Sequence, residues 1–498
     1  MRAAQVFAGL GWSAFATTIN AIAQFVFLAV LARLLDAEAF GLMAMALITL
    51  RFASFFAQLG FAQALIQKPD LRPVDTSAAL LMTVGLSLSF YAMVLLAAPW
   101  FAVYFRAPEL PTVLAGFGCS LLSSTLAGLP MALLRRNGRF RAAAGVETVG
   151  YVLGYGAVGI SAAAAGWGVW SLVAATLAQQ VLTAGLGFAV ARPAFGWPVP
   201  RQAFGHLWHF GSRYSAIGFL EFLFANVESM TIGRLFARAD LGIFNRAITL
   251  TNVPVEQGVN AVNKVMFPAL ATLSTEPRRL GDAFCMLLLA VGVVSAAMAC
   301  GIAATAGDAV ALLLGARWSA AAPVVAIVAF AVPPMFMYVV CGITLDSVAA
   351  LGAKLRLQAL LLVAKVALVA FASMHGLVGI AAAVVVAEVL RLAFGLRLVA
   401  RTLDMPQGAG WVPVAASAVV GAAVYVAVAA AAAFARGADW PLAARLAADI
   451  GAGALALVAS LALLVAAAPG YAPLARFESL RGLHDRLLAA LHFAPVQR

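Results

Sequence analysis

The sequence consists mostly of long apolar runs separated by short polar connections. About fourteen of these runs approach or exceed roughly 20 residues, the length an α-helix needs to cross the hydrocarbon core of a bilayer. Hydrophobic residues make up 64% of the 498 residues, charged residues make up 10%, and the mean hydropathy is +1.00. Soluble globular domains do not have this balance. The sequence therefore predicts an all-α integral membrane protein with about 14 transmembrane helices.

Basic residues alternate between the two sets of connections. Four arginines lie between residues 135 and 141, after the fourth run, and four more lie in the C-terminal tail, 471–498. Connections on the other side carry fewer basic residues, as at Arg106 and Arg317. Because lysine and arginine favour the cytoplasmic side, we expect both termini to be cytoplasmic and the tail to be an amphipathic helix on the membrane. The net charge of +12 is dispersed, so we expect no nucleic-acid partner.

The chain contains an internal repeat. Residues 31–47, LARLLDAEAFGLMAMAL, align without gaps with residues 232–248, IGRLFARADLGIFNRAI. The identical pairs are Arg33 and Arg234, Leu34 and Leu235, Gly41 and Gly242, and Ala46 and Ala247. Six predicted spans separate the copies, and an even number gives both copies the same membrane orientation. We therefore expect two pseudo-symmetric six-helix lobes, 1–200 and 201–405, followed by two additional helices in 406–470.

Charged side chains lie deep inside the seventh and eighth spans. Glu221 and Glu228 are seven residues apart and share a helix face, as do Arg246 and Lys264 in the next span. An ionisable group in hydrocarbon is costly unless it has a partner or water, so each is a functional candidate. The alternative is a set of structural ion pairs, with Glu228 and Arg246 as the first pair to consider. The full candidate set in these spans is Arg213, Glu221, Glu228, Arg246, Glu256, Asn260 and Lys264.

The first half of the chain adds polar residues that would face a shared cavity. Asn20 and Gln24 belong to a polar stripe on the first span, and Arg51 lies in the middle of the second. Glu388 and Arg391, three residues apart, are expected to neutralise each other. Prolines at 254, 333 and 334 predict kinked or broken helices.

The sequence offers no sign of catalysis or metal binding. The four cysteines lie in apolar runs without ligand spacing, and the five histidines form no triad or metal pattern. No glycine-rich nucleotide motif occurs, and the connections are too short for a separate catalytic domain. We therefore expect neither an enzyme nor a metal site. An integral-membrane glycosyltransferase, ligase or polymerase would need larger outer loops than this chain has.

Two stretches resemble a known family. FGSRYSAIGFLEFLFANVESMTIGRLF and the residues that follow are similar to the seventh and eighth helices of Wzx-type polysaccharide flippases. These proteins belong to the multidrug/oligosaccharidyl-lipid/polysaccharide exporter superfamily. LARLLDAEAFGLMAMALITLRFASFFAQLGFAQALIQKPDL is similar to the opening helices of its colanic-acid and xanthan-type branch. The resemblance covers roughly residues 8–405.

The resemblance implies a function. A Wzx-type flippase moves undecaprenyl-pyrophosphate-linked oligosaccharides from the cytoplasmic to the periplasmic leaflet of the bacterial inner membrane, by alternating access through a central cavity. Substrate binding would fall to Arg51, Arg213, Arg246 and Lys264, with Asn20, Gln24 and Asn260 beside them. A pathway polymerase and glycosyltransferases would be partners.

The resemblance does not settle what drives transport. No cofactor is implied, and a gradient of H⁺ or Na⁺ is the candidate energy source, with Glu221, Glu228 and Glu256 as candidate coupling groups. The three acidic residues also keep open a second function, a cation-coupled multidrug exporter of the same superfamily. Such an exporter would share the fold but would favour an acidic cavity.

Overall fold

The computed structural model describes residues 22–58, 71–198, 219–272, 277–348, 350–406 and 408–467. The described residues form helices joined by short connections, and no β-strand occurs among them. The long helices are α1 Ile22–Leu34, α2 Ala37–Gln58, α3 Pro73–Phe105, α4 Leu110–Arg136, α5 Phe140–Ala164, α6 Val169–Ala191, α7 219–235, α8 Arg238–Thr272, α9 Pro277–Ala304, α10 Ala321–Ser347, α11 Leu351–Ala372, α12 Gly376–Thr402, α13 Trp411–Gly437 and α14 Leu442–Ala467. Within the described ranges, these fourteen helices confirm the predicted number of helices, and nine helical segments are long and apolar enough to cross a membrane.

Two helices change their winding inside the membrane. α5 contains a π-helical segment, Val152–Gly159, and α10 contains a 3₁₀ turn, Ala329–Ala331. The 3₁₀ turn directly precedes Pro333 and Pro334 and confirms the predicted interruption, because proline cannot donate the next backbone hydrogen bond. α8 continues through Pro254 without a break.

The chain divides into two compact units. The first comprises the described residues up to Thr249 together with Leu313–Ala321 and Gln358–Val384, and the rest forms the second. In the first unit, α4 is more enclosed than α3, α5 or α6 and packs against both α3 and α6. The second unit has a core of fully buried leucine and valine side chains on α9 that pack with residues of α10 and α12. The predicted lobe boundaries at residues 200 and 405 stay a prediction.

Each copy of the repeat ends one helix and begins the next, α1 to α2 in the first and α7 to α8 in the second. A capping box consists of two reciprocal hydrogen bonds between side chain and backbone. Each of the two helix starts has one of these bonds, and the two starts have different ones. At α2, the Asp36 side chain accepts a hydrogen bond from the Ala39 N–H at 2.8 Å. At α8, the Asp240 side chain accepts one from the Ala237 N–H at 3.1 Å. Both arrangements satisfy backbone donors that a helix start leaves without partners.

The starts of α2 and α8 cross at the glycines that the repeat shares. A Cβ atom at Gly41 would overlap the carbonyl oxygen of Arg238, and one at Gly242 would overlap that of Ala37. Position 41 corresponds to 242 in the repeat, and position 37 to 238, so one pseudo-two-fold exchanges the two contacts. Small residues permit this direct approach of two helix backbones. The sequence repeat is therefore also a structural symmetry.

Aromatic side chains extend the pseudo-symmetry beyond the crossing. Trp318 donates a hydrogen bond from Nε1 to the carbonyl oxygen of Ala32 at 2.8 Å. In the other copy, the position equivalent to Ala32 is Gly233, where an added Cβ would lie 2.8 Å from the Phe105 ring. An aromatic ring therefore covers the end of α1 and, in the corresponding place, the end of α7.

An ion pair lies at the exposed edge of the same junction. An Arg238 guanidinium nitrogen lies 2.7 Å from a Glu109 carboxylate oxygen, and the hydrogen bond from Arg238 lowers the pKa of Glu109. A carboxyl whose pKa is lowered on folding stabilises the fold above its unfolded pKa, and this contribution disappears as the pH falls through the folded pKa. The pair is therefore intact at neutral pH. Because it is largely exposed, its contribution to stability is small.

We predict that Gly41→Ala and Gly242→Ala destabilise the protein equally, because each adds a methyl group against a backbone carbonyl that cannot move aside. Overpacking of this kind costs about 1–3 kcal/mol. The measurement is the thermal midpoint of the purified protein in detergent. Gly85→Ala on α3 is the matched control, since nothing lies within 4 Å of a Cβ placed there. A Gly41→Ala variant with the same thermal midpoint as the Gly85→Ala control would contradict the close approach of α2 and α8 at Gly41.

Candidate functional site

Arg246 is a cation on α8 that has no anionic partner among the described residues. It lies on α8, one helical turn after Gly242. Its guanidinium carbon lies 4.3 Å from the centre of the Phe40 ring, and one terminal nitrogen donates to the neighbouring Asn245 side chain at 3.2 Å. Its Nε is buried and has no hydrogen-bond partner. No carboxylate among the described residues forms an ion pair with it, so its charge is available to an anion.

The internal repeat shows that the fold does not require a charge at this position. The residue equivalent to Arg246 in the first copy is Met45, which is completely buried. Equivalent positions at this helix crossing are therefore occupied by the thioether of Met45 in one copy and by the guanidinium of Arg246 in the other. A cation–π contact contributes about 0.5–2 kcal/mol, which offsets only part of the cost of placing arginine in hydrocarbon. The asymmetry indicates a functional reason for the charge.

Two tyrosines of α5 complete the surroundings of Arg246. The rings of Tyr151 and Tyr155 are 5.0 Å apart, and both hydroxyl groups lie close enough to interact electrostatically with the guanidinium. Tyr151 also packs against Phe27 of α1 at 5.6 Å, and the Tyr155 hydroxyl is 3.0 Å from that of Thr176 on α6. The sequence analysis missed both tyrosines, although their spacing of four residues on one apolar helix was a usable signal.

Glu228 pairs with Lys365 and not with Arg246. The Lys365 Nζ lies 2.9 Å from a Glu228 carboxylate oxygen, and the two side chains are 1% and 6% exposed. The same Nζ donates to the Phe224 carbonyl oxygen at 2.6 Å and lies 4.3 Å from the centre of the Phe224 ring. The hypothesis of a Glu228–Arg246 pair is therefore wrong. Helix faces compared between α7 and α8 could not show that α11, far away in sequence, supplies the partner.

The structure places the other predicted site residues as follows. Arg51 on α2 and Glu256 on α8 are exposed, whereas Gln24 on α1 and Glu221 on α7 are half-buried. Asn20 and Arg213, and the side chains of Asn260 and Lys264, lie outside the described part of the chain. Their roles as substrate or coupling residues stay predictions. Glu388 and Arg391 do pair, at 3.6 Å, and Arg391 lies over the Tyr338 ring.

The second unit contains an apolar cavity of about 470 Å³. Side chains of α9, α10, α12 and α13 line it, among them Cys300, Phe330, Met337, Leu392 and Tyr425. Within the lining, Ser417 is one of few polar residues, and its hydroxyl already donates to the carbonyl oxygen of Pro413 at 2.7 Å. Such a surface suits a hydrocarbon chain and offers nothing to a charged group.

Solved structures define the class of protein first. The fold is similar to that of the lipid II flippase MurJ in an inward closed conformation, with a TM-score of 0.71 and 11% identity over 91% of this chain and 98% of that one. It is also similar to an inward-facing multidrug resistance MATE family transporter of the MOP superfamily, with a TM-score of 0.59 and 14% identity over 78% and 96% of the two chains. The protein therefore has the helical fold of these membrane transporters.

Sequence comparison then gives the family. Residues 30–323 match the model of the polysaccharide biosynthesis protein family, and the chain belongs to this family. The lipopolysaccharide biosynthesis protein WzxC of Escherichia coli K12 is 24% identical over 64% of both chains. The succinoglycan biosynthesis transport protein ExoT of Rhizobium meliloti is 27% identical over 64% of this chain and 65% of its own length. These alignments thus span slightly less than two thirds of either relative.

We predict that Lys365→Met and Glu228→Gln each destabilise the protein strongly. Each removes one partner of a buried pair and leaves the other charge unpaired or poorly paired, which costs about 3–5 kcal/mol. The combined variant should regain much of this loss because no unpaired charge remains. The measurement is the thermal midpoint in detergent for the single and double variants.

The matched control for this prediction is Arg135→Met, which breaks the exposed ion pair between Arg135 and Glu147 at 2.6 Å. Exposed pairs contribute about 0–1 kcal/mol, so this variant should melt close to the unmodified protein. If Lys365→Met were no more destabilising than Arg135→Met, the prediction that Lys365 and Glu228 form a strongly coupled buried ion pair would be wrong.

Proposed function

We propose that the protein is a flippase for lipid-linked oligosaccharides. It would move an undecaprenyl-pyrophosphate-linked repeat unit from the cytoplasmic to the periplasmic leaflet of the bacterial inner membrane, with both of its own termini in the cytoplasm. The observation that carries the proposal is Arg246, a cation without an anionic partner in the part of the chain that the structure describes. The family membership and the transporter fold support the same function.

Arg246 suits the pyrophosphate of such a substrate. A guanidinium binds phosphate oxygens bidentately, and the bonds are strong where water is excluded. The Phe40 ring and the Asn245 side chain hold the guanidinium without neutralising it. A single cation also permits release, because a tight cluster of positive charges would retain a polyanion.

The membrane potential can contribute to the direction of transport. A pyrophosphate diester carries about two negative charges, and an inside-negative potential favours their outward movement by about 2.3 kcal/mol per charge per 100 mV. Return of the empty carrier with Arg246 unoccupied moves positive charge inward, which the same potential also favours. A gradient of H⁺ or Na⁺ acting through Glu221 or Glu256 remains a proposed further source. Glu228 is a weaker candidate because Lys365 already neutralises it.

The competing proposal is a cation-coupled multidrug exporter. Such a protein would present an unpaired acidic group to cationic drugs. The pairing of Glu228 with Lys365 removes one of the three acidic candidates, while Arg246 would repel a cationic substrate. The pathway partners proposed for a flippase, a polymerase and glycosyltransferases, would have no role in drug export.

We predict that Arg246→Gln reduces transport at least about ten-fold and that Arg246→Lys retains part of it, because hydrogen bonds to a charged group contribute about 1.5–3 kcal/mol. The measurement uses cells that make a lipid-linked polysaccharide and lack this gene. It records the membrane face on which the lipid-linked repeat accumulates when each variant is supplied.

Arg356→Gln is the control, because this arginine is exposed on α11 and its Nε bonds the Gly352 carbonyl oxygen of its own helix. Cytoplasmic accumulation with Arg246→Gln but not with Arg356→Gln supports the flippase. Normal export together with increased drug sensitivity in cells without the gene would instead favour the multidrug exporter.

A further inference from the structure

A polar cavity of about 310 Å³ lies among α4, α5 and α6 of the first unit. Its floor consists of small or flexible apolar residues of α4, including Ala127, Gly128 and Met131. Its remaining walls are polar and extend to the exposed Arg135–Glu147 pair near the C-terminal end of α4. The polar lining residues are Ser124, Arg135, Glu147, Gln179, Gln180 and Thr183.

Close packing of α5 on α6 holds two of these polar residues in place. A Cβ at Gly150 would collide with the Thr183 hydroxyl, and one at Gly154 would lie 2.6 Å from the backbone nitrogen of Gln179. The two glycines are four residues apart, a spacing that lets helices approach closely in membranes. Gly154 also belongs to the π-helical segment Val152–Gly159, and such segments are frequent at functional sites.

The charges in the cavity already balance. Arg135 donates to Glu147 at 2.6 Å, so this part of the lining has no net charge and selects neither an anion nor a cation. The remaining polar groups are hydroxyls and amides. The Gln180 Oε1 is buried and has no hydrogen-bond partner. A buried acceptor without a donor is costly, so the cavity requires a ligand or solvent that can donate hydrogen bonds.

The cavity and Arg246 both belong to the first unit. Glu147 in the lining is four residues before Tyr151, which is about one helical turn, or ~6 Å, along α5. Tyr151 in turn interacts electrostatically with Arg246. A ligand whose anionic group binds Arg246 would therefore bring the adjoining portion, of roughly the size of one sugar ring, toward the neutral cavity.

We propose that this cavity binds the uncharged hexose that adjoins the pyrophosphate of the substrate. The proposal rests on the proposed function. A hexose supplies several hydroxyl donors and acceptors, as the amide and hydroxyl lining requires, and its lack of charge matches the balanced Arg135–Glu147 pair. The first unit then separates two tasks, with anion binding at Arg246 and sugar binding among α4, α5 and α6.

The test compares two kinds of lipid on the full-length protein in detergent. Isothermal titration calorimetry measures the affinity for undecaprenyl pyrophosphate and for the same lipid carrying glucose, galactose or N-acetylglucosamine. At least one sugar should increase the affinity about ten-fold, because each net hydrogen bond contributes a few-fold and several form. Gln180→Leu and Thr183→Val should each bring the sugar-bearing lipid within a few-fold of the sugar-free lipid, while leaving the sugar-free affinity unchanged.

Thr125→Val is the matched control. Like Thr183, Thr125 is a buried threonine whose hydroxyl bonds the carbonyl oxygen four residues earlier in its own helix, but it contacts Ser87 of α3 and not the cavity. The control should keep the full sugar preference. Thermal midpoints of all variants establish that each is folded.

The possible outcomes separate the two proposals. If the sugar-free lipid binds and none of the three sugars adds affinity, the sugar site is overturned and the flippase stands. A preference that survives both cavity variants, or a loss shared by Thr125→Val, also overturns the sugar site. If neither kind of lipid binds, both proposals fail together.

Discussion

Hydrocarbon gives a charged side chain neither water nor counter-ions, and this constraint determines how the described residues of the first unit are arranged. Lys365 and Glu228 meet it by pairing with each other while almost fully buried. Arg135 and Glu147 meet it at an exposed edge. Among the described residues, Arg246 contacts the Phe40 ring and the Asn245 amide and forms no ion pair. Because the equivalent position in the other repeat is Met45, the helix crossing does not need this charge, and substrate binding is the reason that we propose for it.

The glycine crossing between α2 and α8 positions the site. Gly41 follows Phe40, and Gly242 precedes Arg246 by one turn. The direct approach of the two backbones therefore sets the distance between the guanidinium and the ring beneath it. The same junction includes the helix caps at Asp36 and Asp240, which fix where α2 and α8 begin. One local pseudo-symmetry thus supports an asymmetric site.

Sequence patterns anticipated some of these features and missed others for a consistent reason. The number of helices, the repeat and the choice of Arg246 as a candidate follow from periodicity and from the cost of a charge in hydrocarbon. Both arguments need only the residues of a single segment. The pairing of Glu228 was misassigned because its partner, Lys365, is distant in sequence. The α4–α6 cavity was missed because glutamines and threonines are unremarkable in any single helix, whereas the four-residue spacing of Tyr151 and Tyr155 was a signal that was not used.

By itself, the sequence determined the class of fold, the repeat and the presence of an arginine deep in the membrane, because length, apolarity and spacing along one chain are enough to specify helices and their faces. Only the tertiary structure decided which charges neutralise each other and which remain available. That outcome depends on distances of a few ångströms between helices that are far apart in sequence. The proposed division into an anion site and a neutral sugar site depends on the same distances, since Arg246 and the cavity lie on different helices of the first unit.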